Sequence, residues 1–105
     1  MRRVVIESPY AGHVERNLLY LEAAARDCLR RGEAPYASHG MLTQWLDDRD
    51  PIQRDLGIRC GYAWGAMAEA AVFYVDLGMS EGMVKAEAHW QQRGLPIERR
   101  ELGTW

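Results

Sequence analysis

The sequence predicts a three-layer α/β fold, in which helices cover both faces of a four-stranded parallel sheet. Apolar runs typical of buried strands alternate along the chain with segments whose apolar residues recur at helical spacing. Glycine and proline residues separate most of these segments. The resulting order is β-α-β-α-β-α-β, and right-handed crossovers between parallel strands then place helices on both faces of one sheet.

The first strand and the first helix have the clearest patterns. Residues 3–6 form a short apolar run, which the segment 8–12 interrupts with serine, proline and glycine. The helix that follows is predicted to end at Gly32. Its predicted buried face is formed by residues at steps of three and four, namely Val14, Leu18, Leu21, Ala25 and Cys28.

The middle of the chain supplies a second strand at residues 34–38, a polar, aspartate-rich loop at 45–51 and a second helix at 52–68. The predicted buried face of this helix consists of Leu56, Cys60, Ala63 and Met67. Three glycines in the same helix, Gly57, Gly61 and Gly65, each cost roughly 1 kcal/mol relative to alanine. Such small residues permit the close approach of another element.

The last third of the chain repeats the pattern. Residues 71–75 form a buried strand closed by Asp76, and Ser80 can cap a third helix that reaches about residue 93. Residues 97–102 form a final strand, whose alternating charges favour a sheet edge. We therefore expect one Rossmann-like or flavodoxin-like domain spanning residues 1–105, with strand order 2-1-3-4 and a ligand crevice where the winding direction reverses.

Composition excludes several classes of partner. The net charge is -2, from 13 basic and 15 acidic residues, so no long-range field favours duplex nucleic acid or an anionic membrane. The amino-terminal apolar run is too short for a signal peptide or a membrane span. Cys28 and Cys60 form no C-x-x-C pair, and two isolated thiols fit a reducing, cytoplasmic location.

Two turns are expected to meet at the crevice, one after the first strand and one after the third. Each leads into a helix amino terminus, whose free N–H groups and partial positive charge suit an anion. The candidate ligand-binding residues of these turns are Ser8, Tyr10, Gly12, Gly78, Ser80, Glu81 and Gly82. The alternative interpretation is that their glycines and serines only shape and cap the turns.

Polar side chains at strand ends supply candidates for chemistry. Glu7 and Asp76 each follow a core strand, where partial burial would raise a carboxyl pKa and suit a proton donor or acceptor, or a contact with a ribose hydroxyl. Helix capping is the alternative role. Ser38 and His39, at the end of the second strand, face the same edge and are candidate contacts to a base or sugar.

Glu87 lies on the same helix face as Met83 and Trp90, so its carboxylate needs either a function or an arginine partner. The three histidines lack metal-ligand spacing, and we expect no metal. No G-x-G-x-x-G or G-x-x-x-x-G-K-[ST] motif is present, so no NAD, ATP or other cofactor is expected. We also expect no serine hydrolase triad.

Four segments resemble a family of small uncharacterised proteins common in phages and bacteria, which is distantly similar to nucleoside 2-deoxyribosyltransferases and deoxynucleoside-monophosphate N-glycosidases. The segments are SPYAG at 8–12, GEAPYASH at 32–39, GYAWG at 61–65 and DLGMSEGM at 76–83. The resemblance implies a nucleoside pocket at the first turn, with Tyr10, Asp76 and Gly82 in matching places. The transferases carry a nucleophilic glutamate four residues after that glycine, where this chain has Ala86, and Glu87 follows about 100° further around the helix.

These observations support two hypotheses. The first is a nucleotide- or nucleoside-binding protein that acts as an N-glycosidic hydrolase or deoxyribosyltransferase, with Glu87, Asp76 or Glu7 as the catalytic carboxylate. The second is a non-catalytic nucleotide-sensing or protein-interaction module of the same fold. The resemblance also implies self-association, for which Trp64 and Trp105 are candidate interface residues.

Overall fold

The computed structural model describes residues 1–105, which form four β-strands, four α-helices and one 3-10 helix. The strands are β1 (Arg2–Glu7), β2 (Glu33–Tyr36), β3 (Ala70–Tyr74) and β4 (Ile97–Arg100). The helices are α1 (Val14–Arg30), α2 (Ser38–Met41), α3 (Pro51–Gly65) and α4 (Glu81–Gln92), and the 3-10 helix (Leu42–Gln44) directly follows α2. No helix combines the length and the apolar character needed to cross a membrane.

The sheet has the predicted order, β2-β1-β3-β4, and every neighbouring pair is parallel. Val5 of β1 pairs with Tyr36 on one side and with Ala71 on the other. The central strands β1 and β3 also bring Glu7 opposite Phe73 at their carboxyl ends. The reversal in winding therefore lies next to Glu7, where open α/β sheets bind their ligands.

Helices cover both faces of the sheet, which confirms the predicted three-layer arrangement. Side chains alternate along β1, so Val4 and Ile6 pack in the core beneath α1, whereas Val5 packs with Ala86 and Trp90 of α4. All five residues of β3 are buried, as expected for a central parallel strand. The sheet is thus a rigid support for the segments that leave its carboxyl edge.

The buried face of α1 differs from the predicted one. The buried residues are Asn17, Tyr20, Leu21, Ala24 and Cys28, whereas Leu18 is 40% exposed. Asn17 and Tyr20 are buried because they make hydrogen bonds, Asn17 to the carbonyls of the turn after β1 and Tyr20 to Asp76. A pattern that counts only apolar side chains does not detect such positions.

The predicted second strand is too long, because β2 ends at Tyr36 and Ser38 begins the unpredicted helix α2. Ala37 is extended, and its carbonyl then accepts hydrogen bonds from the N–H groups of Gly40 and Met41. This change of direction places Ser38 against Gly61 and His39 against Ser8. A helix of four residues has too few turns to leave a periodic pattern in the sequence.

The predicted face of α3 is also wrong. Leu56, Ala63 and Met67 are exposed, and the buried residues of the helix are Gly61 and Gly65. A Cβ atom on Gly61 would lie 2.6 Å from Ser38 Oγ, and one on Gly65 would collide with the Trp90 ring. The predicted close approach is therefore confirmed at these two glycines, which let α3 pack against α2 and α4.

Candidate ligand-binding site

A cavity of about 670 Å³ lies where the segments after β1 and β3 leave the sheet. Glu7 and Ser8 line it from the end of β1, and Ser38 and His39 line it from α2. The remaining lining comes mainly from residues 42–58, from Tyr62 of α3 and from the first residues of α4. The structure thus brings together eight of the residues predicted for the site, namely Glu7, Ser8, Tyr10, Ser38, His39, Ser80, Glu81 and Gly82.

Ser8 and His39 form a polar pair within this lining. Ser8 Oγ lies 2.7 Å from His39 Nε2, and the Thr43 hydroxyl donates to the His39 carbonyl at 2.6 Å. Burial lowers the pKa of His39 to about 4, so its imidazole is neutral at pH 7. A neutral imidazole has one donor and one acceptor nitrogen, and the contact with Ser8 uses Nε2. Nδ1 takes no part in the contact with Ser8.

Glu7 is the most strongly perturbed carboxyl group of the site. Burial raises its pKa to about 8, with a smaller opposing contribution from the nearby Trp90 indole. Trp90 Nε1 makes no hydrogen bond of ordinary geometry, so this opposition is weak. No cationic side chain contributes to the shift. Glu7 is therefore mostly protonated at pH 7 and can both donate and accept a proton at the cavity floor.

Tyr62 contributes an aromatic surface next to Glu7. Its ring stacks on His89, with 3.6 Å between the ring centroids and 6° between the planes. Burial raises the pKa of Tyr62, and the negative form of Glu7 adds to this rise. Trp90 meets both stacked rings edge to face. The group is held by Gly65, whose missing side chain leaves room for Trp90.

The turn after β1 is fixed by a buried side chain. Asn17 is 1% exposed, and its amide nitrogen lies 2.9 Å from the Tyr10 carbonyl and 3.2 Å from the Ala11 carbonyl. Its amide oxygen accepts from Arg16. Asn17 therefore fixes the backbone of Tyr10, which lines the cavity. Asn17 was not among the predicted site residues, although an asparagine beside the apolar positions of a helix was a detectable signal.

The first residues of α4 line the cavity. Ser80 caps the helix by accepting a hydrogen bond from the Met83 N–H at 3.2 Å, and it also lines the cavity. Glu81 is exposed and forms an ion pair with Lys85 at 3.2 Å. The first N–H groups of α4 have no partner within the helix, as at every helix start. They can donate hydrogen bonds to an anionic group of a ligand.

The other predicted residues lie elsewhere. Asp76 accepts hydrogen bonds from the Tyr20 hydroxyl and from the N–H groups of Leu102 and Gly103, and it does not line the cavity. Burial alone would raise the pKa of Asp76, but these hydrogen bonds lower it below its ordinary value. The carboxylate therefore holds residues 102 and 103 next to the carboxyl end of β3.

Glu87 has the arginine partner that was its alternative explanation. Arg99 Nη2 lies 3.0 Å and 2.8 Å from its two carboxylate oxygens, and Glu87 does not line the cavity. Ala86, four residues after Gly82, does line it. Gly12 and Gly78 adopt positive φ angles of 93° and 86° in their turns, and neither belongs to the lining. The start of α1 thus takes no part in the expected anion cradle.

Comparison with known proteins places the chain in a family. A family model described as a domain of unknown function, DUF7768, matches residues 2–100. The chain belongs to this family. A comparison with curated proteins found no match.

The fold of this chain is similar to a solved structure of the 2-deoxyribosyltransferase from Bacillus psychrosaccharolyticus. The TM-score is 0.68 at 11% sequence identity, and the matched region covers 98% of this chain and 74% of the transferase chain. The likeness is one of fold, and it confirms the architecture that the resemblance implied. In this DUF7768 chain, the chemistry must be argued from the cavity itself.

Proposed function

We propose that this protein binds a nucleoside or a nucleotide in the cavity lined by Glu7, His39 and Tyr62. The observation that carries the proposal is the cavity itself, which brings a carboxyl group and an aromatic ring together at the edge where sheets of this topology bind ligands. The cavity volume of about 670 Å³ is in the range of small-molecule sites. The similarity of fold to a 2-deoxyribosyltransferase supports the same class of ligand.

The polar groups of the cavity suit the three parts of such a ligand. Glu7 and His39 offer donors and acceptors to a sugar hydroxyl or to a base edge. Free N–H groups at the start of α4 suit a phosphate, because they combine hydrogen bonding with the positive end of the helix dipole. Charges at the rim are largely paired, as in Lys85 with Glu81 and Arg54 with Asp48. An anion would therefore be held locally by α4.

We further propose that Glu7 cleaves the N-glycosidic bond of the bound ligand. Protonated Glu7 gives its proton to a base nitrogen as the C1′–N bond breaks, water adds to C1′, and the proton that the water releases returns to the Glu7 carboxylate. The raised pKa favours this role, because a general acid works best when its pKa lies near the operating pH. Asp76 and Glu87 are less suitable as the acid, because both accept hydrogen bonds outside the cavity.

A non-catalytic nucleotide sensor is the second candidate. Ala86 favours it, because this position lines the cavity without supplying the carboxylate of the transferases. The two candidates differ in whether free base is produced. The sensor would bind the same ligands through the same polar groups and leave the glycosidic bond intact.

The deciding experiment incubates the protein with deoxynucleosides and deoxynucleoside monophosphates and measures free base by chromatography. Base release that is lost in Glu7→Gln but retained in Glu87→Gln would support catalysis by Glu7. Equal release by both variants would exclude Glu7 as the acid. No release, combined with thermal stabilisation by nucleotides, would favour the sensor. The absence of both base release and thermal stabilisation would contradict the proposed ligand class.

We also propose that two copies associate through the exposed apolar side of α3. Ile52 is 80%, Leu56 48% and Trp64 64% exposed, an unusual apolar surface for one helix. Light scattering should show a smaller particle for Leu56→Glu than for the wild type, and no change for Leu29→Glu on α1. A cytoplasmic location belongs to the same proposal and agrees with two free cysteines.

A further inference from the structure

The aromatic group beside Glu7 has a directional arrangement. His89 covers one face of the Tyr62 ring, since the two rings are nearly parallel and their centroids are 3.6 Å apart. The Trp90 centroid lies 4.7 Å from His89 and 5.5 Å from Tyr62, at steep angles to both planes. Trp90 therefore sits beside the stack, on the His89 side of Tyr62. The opposite face of Tyr62 is covered by neither ring.

Tyr62 is the member of this aromatic group that borders the cavity. Tyr62 is half-buried and lines the cavity, although His89 and Trp90 do not. Its position is fixed from behind by the buried Trp90, which fills the space that Gly65 leaves open. A rigid aromatic ring that already has one stacking partner loses little conformational entropy when it gains a second.

We propose that Tyr62 is the stacking platform for a planar nitrogen heterocycle, which extends the His89–Tyr62 stack by one ring while Glu7 binds its edge. Stacking is open to any base because every base has a π-face, whereas the carboxyl group adds hydrogen-bond selection. A protonated carboxyl presents one donor and one acceptor side by side, which matches a heterocycle with an adjacent donor and acceptor. The inference rests on the proposed function and specifies which part of the ligand meets α3.

The test compares ligands with and without a base, using isothermal titration calorimetry on the full chain. The ligands are deoxyadenosine, adenine and 2-deoxyribose 5-phosphate. Tyr62→Leu should weaken the binding of deoxyadenosine and adenine by about 5- to 150-fold, the measured range for loss of one base–aromatic stack. It should leave the affinity for 2-deoxyribose 5-phosphate unchanged.

Two variants protect this test from loss of structure. Tyr62→Phe keeps the ring and should retain base binding. Trp45→Leu removes an exposed aromatic residue that does not line the cavity, and it should leave the binding of all three ligands unchanged. Unchanged base binding in Tyr62→Leu, or an equal loss of all three ligands, would overturn the platform while the proposed function stands. If the wild type binds no deoxyadenosine, the proposed function fails. The adenine titrations then test the stacking platform by themselves. Weaker adenine binding in Tyr62→Leu than in the wild type would support it, and a wild type that binds no adenine would contradict it.

Discussion

Ser8 Oγ lies 2.7 Å from His39 Nε2, and this contact joins the end of β1 to the first turn of α2. The two residues are separated by the whole of α1 and β2 in sequence. Both line the cavity, and the neutral imidazole is the form that leaves one nitrogen as an acceptor. The pair therefore couples the geometry of the cavity to the protonation of one histidine.

We predict that His39 makes the protein less stable in mild acid. Its folded pKa of about 4 lies below the ordinary value of 6.5, so the unfolded chain binds a proton there first as the pH falls. The stability contributed by neutral His39 is complete above pH 6.5 and is lost as the pH falls from 6.5 towards 4. The free energy of unfolding, relative to that of His39→Gln, should fall by about 1–2 kcal/mol between pH 7.5 and 5.

Urea unfolding at several pH values measures this difference. His13→Gln, which replaces an exposed histidine at the start of α1, is the matched control and should keep the wild-type pH profile. If His39→Gln also keeps that profile, the pKa of His39 is not lowered in the folded state. The description of its environment as one that disfavours the charged imidazole is then wrong.

Glu7 should have the opposite dependence. Its folded pKa of about 8 lies above the ordinary value of 4.5, so the folded state holds the proton longer than the unfolded state does. Stability is therefore lost as the pH rises from 4.5 to 8. Over this range the unfolded chain releases the proton of Glu7 freely, whereas the folded chain must either keep it or bury a charged carboxylate. Glu7→Gln removes this penalty and should raise the free energy of unfolding by at least about 1 kcal/mol at pH 8.

The comparison is made by chemical denaturation at pH 5 and pH 8. The gain from Glu7→Gln should be larger at pH 8, and Glu22→Gln, at an exposed position of α1, should show no such difference. A gain that is equal at both values would mean that Glu7 is ionised in the folded protein. Its proposed role as a proton donor would then fail too.

Strand positions and strand order were predictable because they depend on local composition and on general rules of connection. The buried run at β3 and the serine cap of α4 are visible in a few neighbouring residues. Helix faces were harder. On α3 several apolar residues are exposed, and the buried positions are glycines. Glycine is needed there because Ser38 and Trp90, from distant segments, occupy the space of a side chain. The position of Tyr62 in the cavity lining was not predictable for the same reason, since its stacking on His89 requires α3 and α4 to meet.

The contact between Gly65 and Trp90 gives a direct test of this packing. Gly65→Ala places a methyl group against the indole ring, which is itself fully buried, and should destabilise the protein by about 1–3 kcal/mol. Gly57→Ala is the control on the same helix, because its nearest neighbour is the flexible end of Leu46 at 3.4 Å. There, improved helix propensity should give a gain of up to about 1 kcal/mol. Equal effects from both variants in thermal unfolding would contradict the close approach of α3 and α4.

Asp76 should contribute to stability and not to ligand binding. Its carboxylate accepts hydrogen bonds from Tyr20 and from two backbone N–H groups near the carboxyl end of the chain, at 2.6 to 3.0 Å. Asp76→Asn offers only one carbonyl oxygen to these donors, so the variant should lose about 1–3 kcal/mol in unfolding free energy. Glu101→Gln, at an exposed neighbouring position, should lose nothing.

Ligand affinity separates this structural role from the sugar contact that the sequence predicts for Asp76. The cavity does not include Asp76, so the affinity of folded Asp76→Asn for a deoxynucleoside should equal that of the wild type. Calorimetric titration below the melting temperature of the variant makes the comparison. A large loss of affinity in a variant that remains folded would show that the carboxylate reaches the ligand, which requires the segment 101–105 to leave β3 when the ligand binds.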